Sequence, residues 1–502
     1  MSLTLPYYYL SLTPPTWLTT IPNSSSKGQP IKLTTEQQTI VDYVSNNDGL
    51  TMISAIAGSG KTALLVATAE ALQPKNALYL AYNKSVATEA SKKFPKTVHC
   101  STTHSLAYGP TVRTNKLKIG FFSYRNITEK LHYDQKLYLV DLIREFCLSK
   151  YTSFELFIFE EDHPEMFSKL GNKYLSKMQD GSLDCTHEFY LKMFHMLLAN
   201  GSLTYPTFDF IALDEAGDLN EVTLEIFKLL PATKKLMVGD PYQNIYTFNH
   251  TINCFSVMAD EGPLFPMSQS FRVSDTIAPK IEAFCQTYMS PTMEFKGVPL
   301  VDNTIRSRAF IARTNSSLIA KMFELNSLKI QYGLTRTAKQ IFELPLILCS
   351  LKYKGFISNA EFKHLQTDVN DYHETKSINE NKTLLGYLRS QHPNDLQLKI
   401  AISLLVKHGK PGILQCYEEA RKHEKSNQSY MLGTCHSMKG LEADEVTLAD
   451  DMDESISDIT SYLDDGGTIS SLSKDDVTAL NLYYVAISRA RVSLLNAGQL
   501  IL

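Results

Sequence analysis

Residues 55–62 read Ala55-Ile56-Ala57-Gly58-Ser59-Gly60-Lys61-Thr62, between an apolar run, Leu50 to Ser54, and an Ala/Leu-rich helical stretch. The order is strand, glycine-bearing loop, helix. Glycines let the chain curl so that successive backbone N–H groups face phosphate oxygens, Lys61 adds a mobile positive charge, and the Thr62 hydroxyl suits a magnesium ligand. The expected ligand is a nucleoside triphosphate with Mg2+, held by Ala57, Gly58, Ser59, Gly60, Lys61 and Thr62. Position 55 is alanine where the strict pattern has glycine, so the loop needs support from the rest of the chain.

That support begins at Phe208-Asp209-Phe210-Ile211-Ala212-Leu213-Asp214-Glu215-Ala216-Gly217-Asp218, where two acids end a hydrophobic strand. Open α/β sheets bind ligands at the carboxyl edge of their strands. Asp214 is thereby placed to hold magnesium and Glu215 to orient and deprotonate an attacking water. A further strand, Leu236 to Val238, runs into Gly239-Asp240-Pro241-Tyr242-Gln243-Asn244-Ile245-Tyr246-Thr247-Phe248. The Gln243 amide suits a sensor of the terminal phosphate, since it donates to a phosphate oxygen and loses that bond on hydrolysis. Tyr246 and Phe248 suit base stacking or core packing.

The whole chain is compatible with such a machine. Its 502 residues are 43% hydrophobic and 20% charged, the composition of an ordinary soluble protein with about three domains. No apolar run approaches a membrane span, and Met1 to Trp17 lacks basic residues and a small-residue cleavage site, so no signal peptide is read. Eight scattered cysteines without a CxxC pair point to reduced thiols in a cytoplasmic or nuclear compartment, not to secretion. A net charge of −4 excludes a global positive field, so any polyanion must be held locally.

Short apolar runs alternate with helical patterns from Leu33 onward, which spells parallel sheets covered by helices. Strands are expected at Thr51–Ala55, Ala77–Ala81, Phe208–Leu213 and Leu236–Val238, then at Ala309–Ala312, Glu445–Leu448 and Val492–Leu495. Two groups so far apart imply two α/β cores. Residues 1–30 read as an extended tail containing the only tryptophan, Trp17. The first core takes 31–108 and 207–262, with a helical insertion at 109–206; the second takes 263–325 and 430–502, with a mainly helical insertion at 326–429. The acidic stretch Asp450 to Asp476 reads as a solvated loop.

A family resemblance now joins these pieces. Leu33-Thr34-Thr35-Glu36-Gln37, the 55–62 loop, Ala81-Tyr82-Asn83-Lys84, Thr102-Thr103-His104-Ser105-Leu106-Ala107, Asp214 to Asp218 and Gly239 to Phe248 resemble successive motifs of the UvrD-like superfamily 1 helicases. Gln269-Ser270-Phe271-Arg272, Thr434 to Glu442 and Tyr484-Val485-Ala486-Ile487-Ser488-Arg489-Ala490 continue the series in the family's order. The wording is nearest to the F-box DNA helicase branch. The resemblance implies two RecA-like P-loop motor domains, ATP hydrolysis between them, and 3′-to-5′ movement on single-stranded or forked DNA. It further implies that Gln37 reads the adenine edge, Phe271 stacks on the base, Glu442 contacts the ribose, and Arg272 and Arg489 reach the γ-phosphate. Tyr82, Asn83, His104, Phe248 and His436 would lie along the DNA track.

The pattern also departs from the family. Gly217 stands in place of a coupling glutamine, Asn249-His250 in place of Arg-Gly, Thr478-Ala479 in place of a glutamate pair, and Ser488 in place of threonine. The nucleotide site is nearly intact while coupling residues are altered. Two expectations follow: a DNA helicase or translocase, serving replication, repair, recombination or genome defence, or a regulatory ATPase subunit that controls a protein partner such as a nuclease and unwinds little by itself.

Overall fold

The computed structural model describes residues 32–245, 250–351, 362, 364–374, 383–393, 395–424 and 428–498. The expected tail with Trp17, and Tyr246, Phe248 and Asn249, lie outside the described residues. The chain forms two compact units that part between Ser268 and Gln269.

The first unit is built on six parallel strands: β1 (Gly49–Ala55), β2 (Ala77–Leu80), β3 (Val98–Ser101), β4 (Phe208–Leu213), β5 (Ala232–Gly239) and β6 (Leu264–Met267). Their order is β3-β2-β4-β5-β1-β6. Both faces are buried, and the side chains divide with the two-residue period of a strand. Ile53, Tyr79, Phe210, Ala212, Leu236 and Val238 point into one core, with α1 (Thr35–Asn46), α2 (Lys61–Leu72) and α3 (Lys84–Ala90). Met52, Leu78, Leu80, Ile211, Leu213 and Met237 point into the other.

That second core is continuous with the helices between β3 and β4. After α4 (Thr103–Tyr108) and a π-helical turn, Gly109–Arg113, come α5 (Tyr133–Leu148), α6 (Phe154–Glu160), α7 (Met166–Gln179) and α8 (His187–Ala199). Phe146, Phe157, Tyr174 and Phe194 belong to the same apolar cluster as the strand residues. The helical stretch therefore shares the core of its sheet.

Strand β6 places the end of the unit later than residue 262. Met52 to Ala55 of β1 pair with Leu264 to Met267, and Ser268 is pinned by Glu36, which accepts its backbone N–H at 2.9 Å and its hydroxyl at 2.5 Å.

The second unit holds a five-stranded parallel sheet of β7 (Arg308–Ala312), β8 (Gly333–Leu334), β9 (Tyr430–Thr434), β10 (Ala443–Leu448) and β11 (Ala490–Leu495), ordered β8-β9-β7-β10-β11. Helix α9 (Asn315–Ser327) covers it, and the helical run Leu396–His423 is broken at Gly409, whose φ of 65° ends one helix before Pro411 begins the next. Here the helical stretch has an apolar cluster of its own, including Leu344, Leu348, Leu365, Val369, Leu388 and Leu398.

The acidic stretch is not a loop. It forms helices Asp450–Glu454 and Ser457–Asp464 and the start of α10 (Lys474–Ile487). Two of its acids face inward: Asp451 accepts from the Arg313 and Thr314 backbone N–H groups, each at 2.9 Å, and Asp453 accepts the Tyr483 hydroxyl at 2.7 Å. Among the described residues no helix is long and apolar enough to cross a membrane. All eight cysteines are free thiols.

Candidate nucleotide and nucleic-acid site

In the first unit β1 ends at Ala55 and the chain turns through Gly58 (φ 74°) and Gly60 (φ 81°) before α2 begins at Lys61. Both glycines occupy the left-handed region, where a Cβ is costly. Gln37 is buried and holds this turn. Its amide donates to the Ser59 carbonyl at 3.2 Å, while its oxygen accepts the Thr34 N–H at 3.0 Å in a capping box of α1. The residue expected to read adenine thus supports the loop through its Nε2 group.

The Ser59 hydroxyl is buried and has no hydrogen-bond partner. An orphaned buried hydroxyl inside a curled loop fits an incoming phosphate oxygen. Thr62 lies one residue into α2, so its hydroxyl starts from the helix N-terminus.

Strand β4 delivers the acids to the same edge. Lys61 Nζ lies 3.8 Å from the Glu215 carboxylate. Asp214 is buried and accepts the Tyr79 hydroxyl at 2.6 Å and the Glu215 N–H at 2.9 Å. Burial, and then the charge of Glu215, push the Asp214 carboxyl up to about 6, against the Tyr79 hydrogen bond and Lys61. Two adjacent carboxylates under one lysine are a donor set that fits a divalent cation. Glu215 itself sits at φ 54°, a turn conformation uncommon for glutamate.

Gln243 donates to Asp240 at 2.8 Å, and Asp240 is buried. Gly217 faces that segment closely: a Cβ there would stand 2.2 Å from the Asp240 carbonyl oxygen. Tyr82 is exposed, and Asn83 caps α3 by accepting the Val86 N–H at 2.9 Å. His104 is half-buried, edge-on to Tyr190 at 5.7 Å, and burial lowers it to about 4, so it is a neutral imidazole near pH 7. Phe248 lies outside the described residues.

In the second unit Phe271 is exposed and Arg272 donates from Nε to Glu442 at 2.6 Å. Arg489 is fully buried, donating to the carbonyls of Val485 at 2.9 Å and Leu441 at 3.5 Å. Burial, followed by the nearby Arg272 charge, lowers it to about 10, and it remains a cation. His436 sits half-buried on a one-turn helix, Cys435–Met438, after β9.

A family model described as an AAA domain matches residues 37–249. F-box DNA helicase 1 of Gallus gallus is 27% identical over 525 residues, covering 95% of this chain and 50% of that protein. F-box DNA helicase protein 1 of Schizosaccharomyces pombe is 23% identical over 530 residues, covering 92% and 57%. The chain is therefore similar to DNA helicases of superfamily 1. It spans about half the length of the curated relatives it matches.

Three residues act in the local geometry of one unit or the other without having been singled out in the sequence. Tyr79 orients Asp214 from the neighbouring strand, and its only sequence signal is a hydroxyl in an otherwise apolar run. Asp240 organises the turn of Gln243, accepting the Tyr242 N–H at 3.1 Å as well. Arg491, on β11, stands 4.0 Å from Glu442 and 3.6 Å from Asp444.

Proposed function

We propose that this chain is an ATP-driven motor on DNA, a 3′-to-5′ helicase or single-strand translocase built from two RecA-like domains, each carrying a largely helical insertion. The observation that carries the proposal is the meeting of Lys61 and Glu215 at 3.8 Å beside buried Asp214, under a loop with an unpartnered Ser59 hydroxyl. This arrangement suits a Mg2+-triphosphate: the loop and Lys61 bind phosphates, Thr62 and Asp214 hold the ion, and Glu215 takes a proton from water. Gln243 senses the terminal phosphate. Arg272 and Arg489 stabilise charge on the transferring phosphoryl group, with Phe271 against the base.

DNA as the track rests on kinship with F-box DNA helicases and on Tyr82, Asn83, His104, Phe248 and His436. A neutral His104 donates to a phosphate oxygen, or donates to or accepts from a base, without adding charge, and an exposed Tyr82 stacks without regard to sequence. A second reading, a regulatory ATPase subunit with weak unwinding, is favoured by Gly217, where the closeness of Asp240 leaves no room for a coupling side chain.

The deciding experiment measures ATPase rate against single-stranded DNA, duplex DNA and RNA, beside unwinding of a forked duplex. The motor reading expects strong stimulation by single-stranded DNA and unwinding of the fork. A rate indifferent to DNA overturns it, and stimulation without unwinding selects the regulatory subunit.

A further inference from the structure

The Arg272–Glu442 pair belongs to a longer alternation of charge inside the second unit. Glu442 Oε2 accepts from Arg272 Nε at 2.6 Å, and its other oxygen lies 4.0 Å from Arg491 Nε. Arg491 Nη1 in turn lies 3.6 Å from Asp444 Oδ1. Asp444 is anchored to the backbone: its Oδ2 accepts from the N–H groups of Arg306 at 2.9 Å and Ser307 at 3.0 Å, and from the Ser307 hydroxyl at 3.1 Å. A cavity of about 690 Å³, lined in part by Phe271, Arg272, Asp444 and Arg491, opens beside the series.

Geometry decides what such a series does. A guanidinium has five N–H donors in a rigid plane, and a carboxylate on Nε uses one of them. The four N–H bonds of the two terminal nitrogens stay available, with the plane fixed. A carboxylate held this way orients an arginine toward an anion without competing for its fork. Oε2 accepts from Arg272 and Oε1 faces Arg491, so both oxygens of Glu442 are turned toward guanidinium groups.

We propose that Glu442 is a positioning residue for Arg272, and that Arg491, backed by Asp444, is a second positioning residue that holds Glu442 in place. The inference rests on the phosphate-binding role proposed above for Arg272. It gives Glu442 the orientation of the arginine as a task of its own, and gives Arg491 a part in turnover. The alternation also neutralises a crowded site, since Arg272 and Arg491 face two carboxylates and the buried Arg489 lies within reach of the Arg272 and Glu442 charges.

The test uses the full chain, saturated with single-stranded DNA, and compares ATP with 2′,3′-dideoxy-ATP. The variants are Glu442→Gln, Arg491→Gln and Arg491→Lys, and Glu442→Gln is also made in an Arg272→Ala background. Glu442→Gln is expected to lower kcat about 10- to 100-fold with both nucleotides, and KM about equally little in each. Arg491→Gln shows a smaller loss of the same kind, and Arg491→Lys recovers most of it. In the Arg272→Ala background Glu442→Gln has no further effect, because the interaction it served is gone.

A Glu442→Gln defect that vanishes with the dideoxy nucleotide, or that multiplies with Arg272→Ala, overturns the assignment. So does wild-type kcat in both Glu442→Gln and Arg491→Gln. Thermal midpoints are measured alongside, and should Glu442→Gln fail to fold, the partly exposed Arg491 series decides alone. Absence of turnover in the wild type overturns the functional reading and this assignment together, whereas wild-type turnover with unaffected variants overturns this assignment only.

Discussion

Tyr79 in β2 gives its phenolic hydrogen to Asp214 at the end of β4 across 2.6 Å. Burial and the neighbouring Asp214 charge hold the phenol far above its usual pKa, so tyrosine is the donor throughout the working range. The bond fixes the carboxylate and offsets part of its burial. Tyr79→Phe keeps the ring and removes the hydroxyl. We expect the Mg2+ concentration for half-maximal ATPase to rise about 10-fold, with folding stability lowered by about 1 kcal/mol. Mg2+ titration of turnover and urea unfolding check this; an unchanged Mg2+ requirement shows that Tyr79 does not orient the ion's ligand.

Lys61 and Glu215 face each other at 3.8 Å, and the proposed function gives them different steps, so their variants separate binding from chemistry. Lys61→Ala is expected to weaken nucleotide binding and abolish turnover. Glu215→Gln keeps the shape, removes the base and removes a like charge beside Asp214; nucleotide binding survives while kcat falls about 100-fold or more. Fluorescent-nucleotide titration with single-turnover hydrolysis measures both. Equal loss of binding in the two variants contradicts the division of roles.

The sequence pattern located the strands that bear the site because a parallel sheet buried on both faces writes itself as short continuous apolar runs. Phe208–Leu213 is observed at those limits, and the other six expected strands differ mainly at their ends. Val98–Ser101, Leu264–Met267 and Tyr430–Thr434 escaped notice: they are four or five residues long, and His99, Ser101, Pro266 and Gly433 interrupt their apolar character. The stretch 450–476 misled for a different reason. Acid content signals solvent only when the carboxylates are not needed inside, and Asp451 is spent on the turn that starts α9. At the site, motif spacing named the residues that end on one sheet edge. It was silent on Tyr79, Asp240 and Arg491, whose parts depend on register and on side-chain rotamers.

His195 on α8 is buried, and its Nδ1 has no hydrogen-bond partner. Burial first, and Lys192 second, lower it to about 3. With the folded pKa below the unfolded one, the unfolded chain binds the extra proton, so stability falls as pH drops below 6.5 toward 3. The loss between pH 7 and pH 5 is about 2 kcal/mol from this group. His195→Leu removes that dependence and a buried unsatisfied nitrogen together. Urea unfolding at pH 7 and pH 5 should show a smaller difference for the variant; an equal difference in both proteins places the acid sensitivity elsewhere.

Gly217 and Gly239 let the turn after β4 lie against the end of β5. A Cβ on Gly217 would approach the Asp240 carbonyl oxygen to 2.2 Å, and one on Gly239 would meet the backbone nitrogens of Ala216 and Gly217 at 2.7 Å. Neither obstacle is a flexible side-chain tip, so the strain must be relieved by moving backbone, at about 1–3 kcal/mol or more. Asp240 receives the Gln243 amide at 2.8 Å, and displacement at 217 therefore reaches Gln243, the proposed phosphate sensor. Gly217→Ala should lower the thermal midpoint and weaken stimulation of the ATPase by single-stranded DNA. Gly217→Gln brings back the family's amide and yet is expected to fare worse, because its Cβ meets the same oxygen. If Gly217→Gln instead keeps wild-type stability and responds more strongly to DNA, the contact yields readily and the glycine is only a missing side chain.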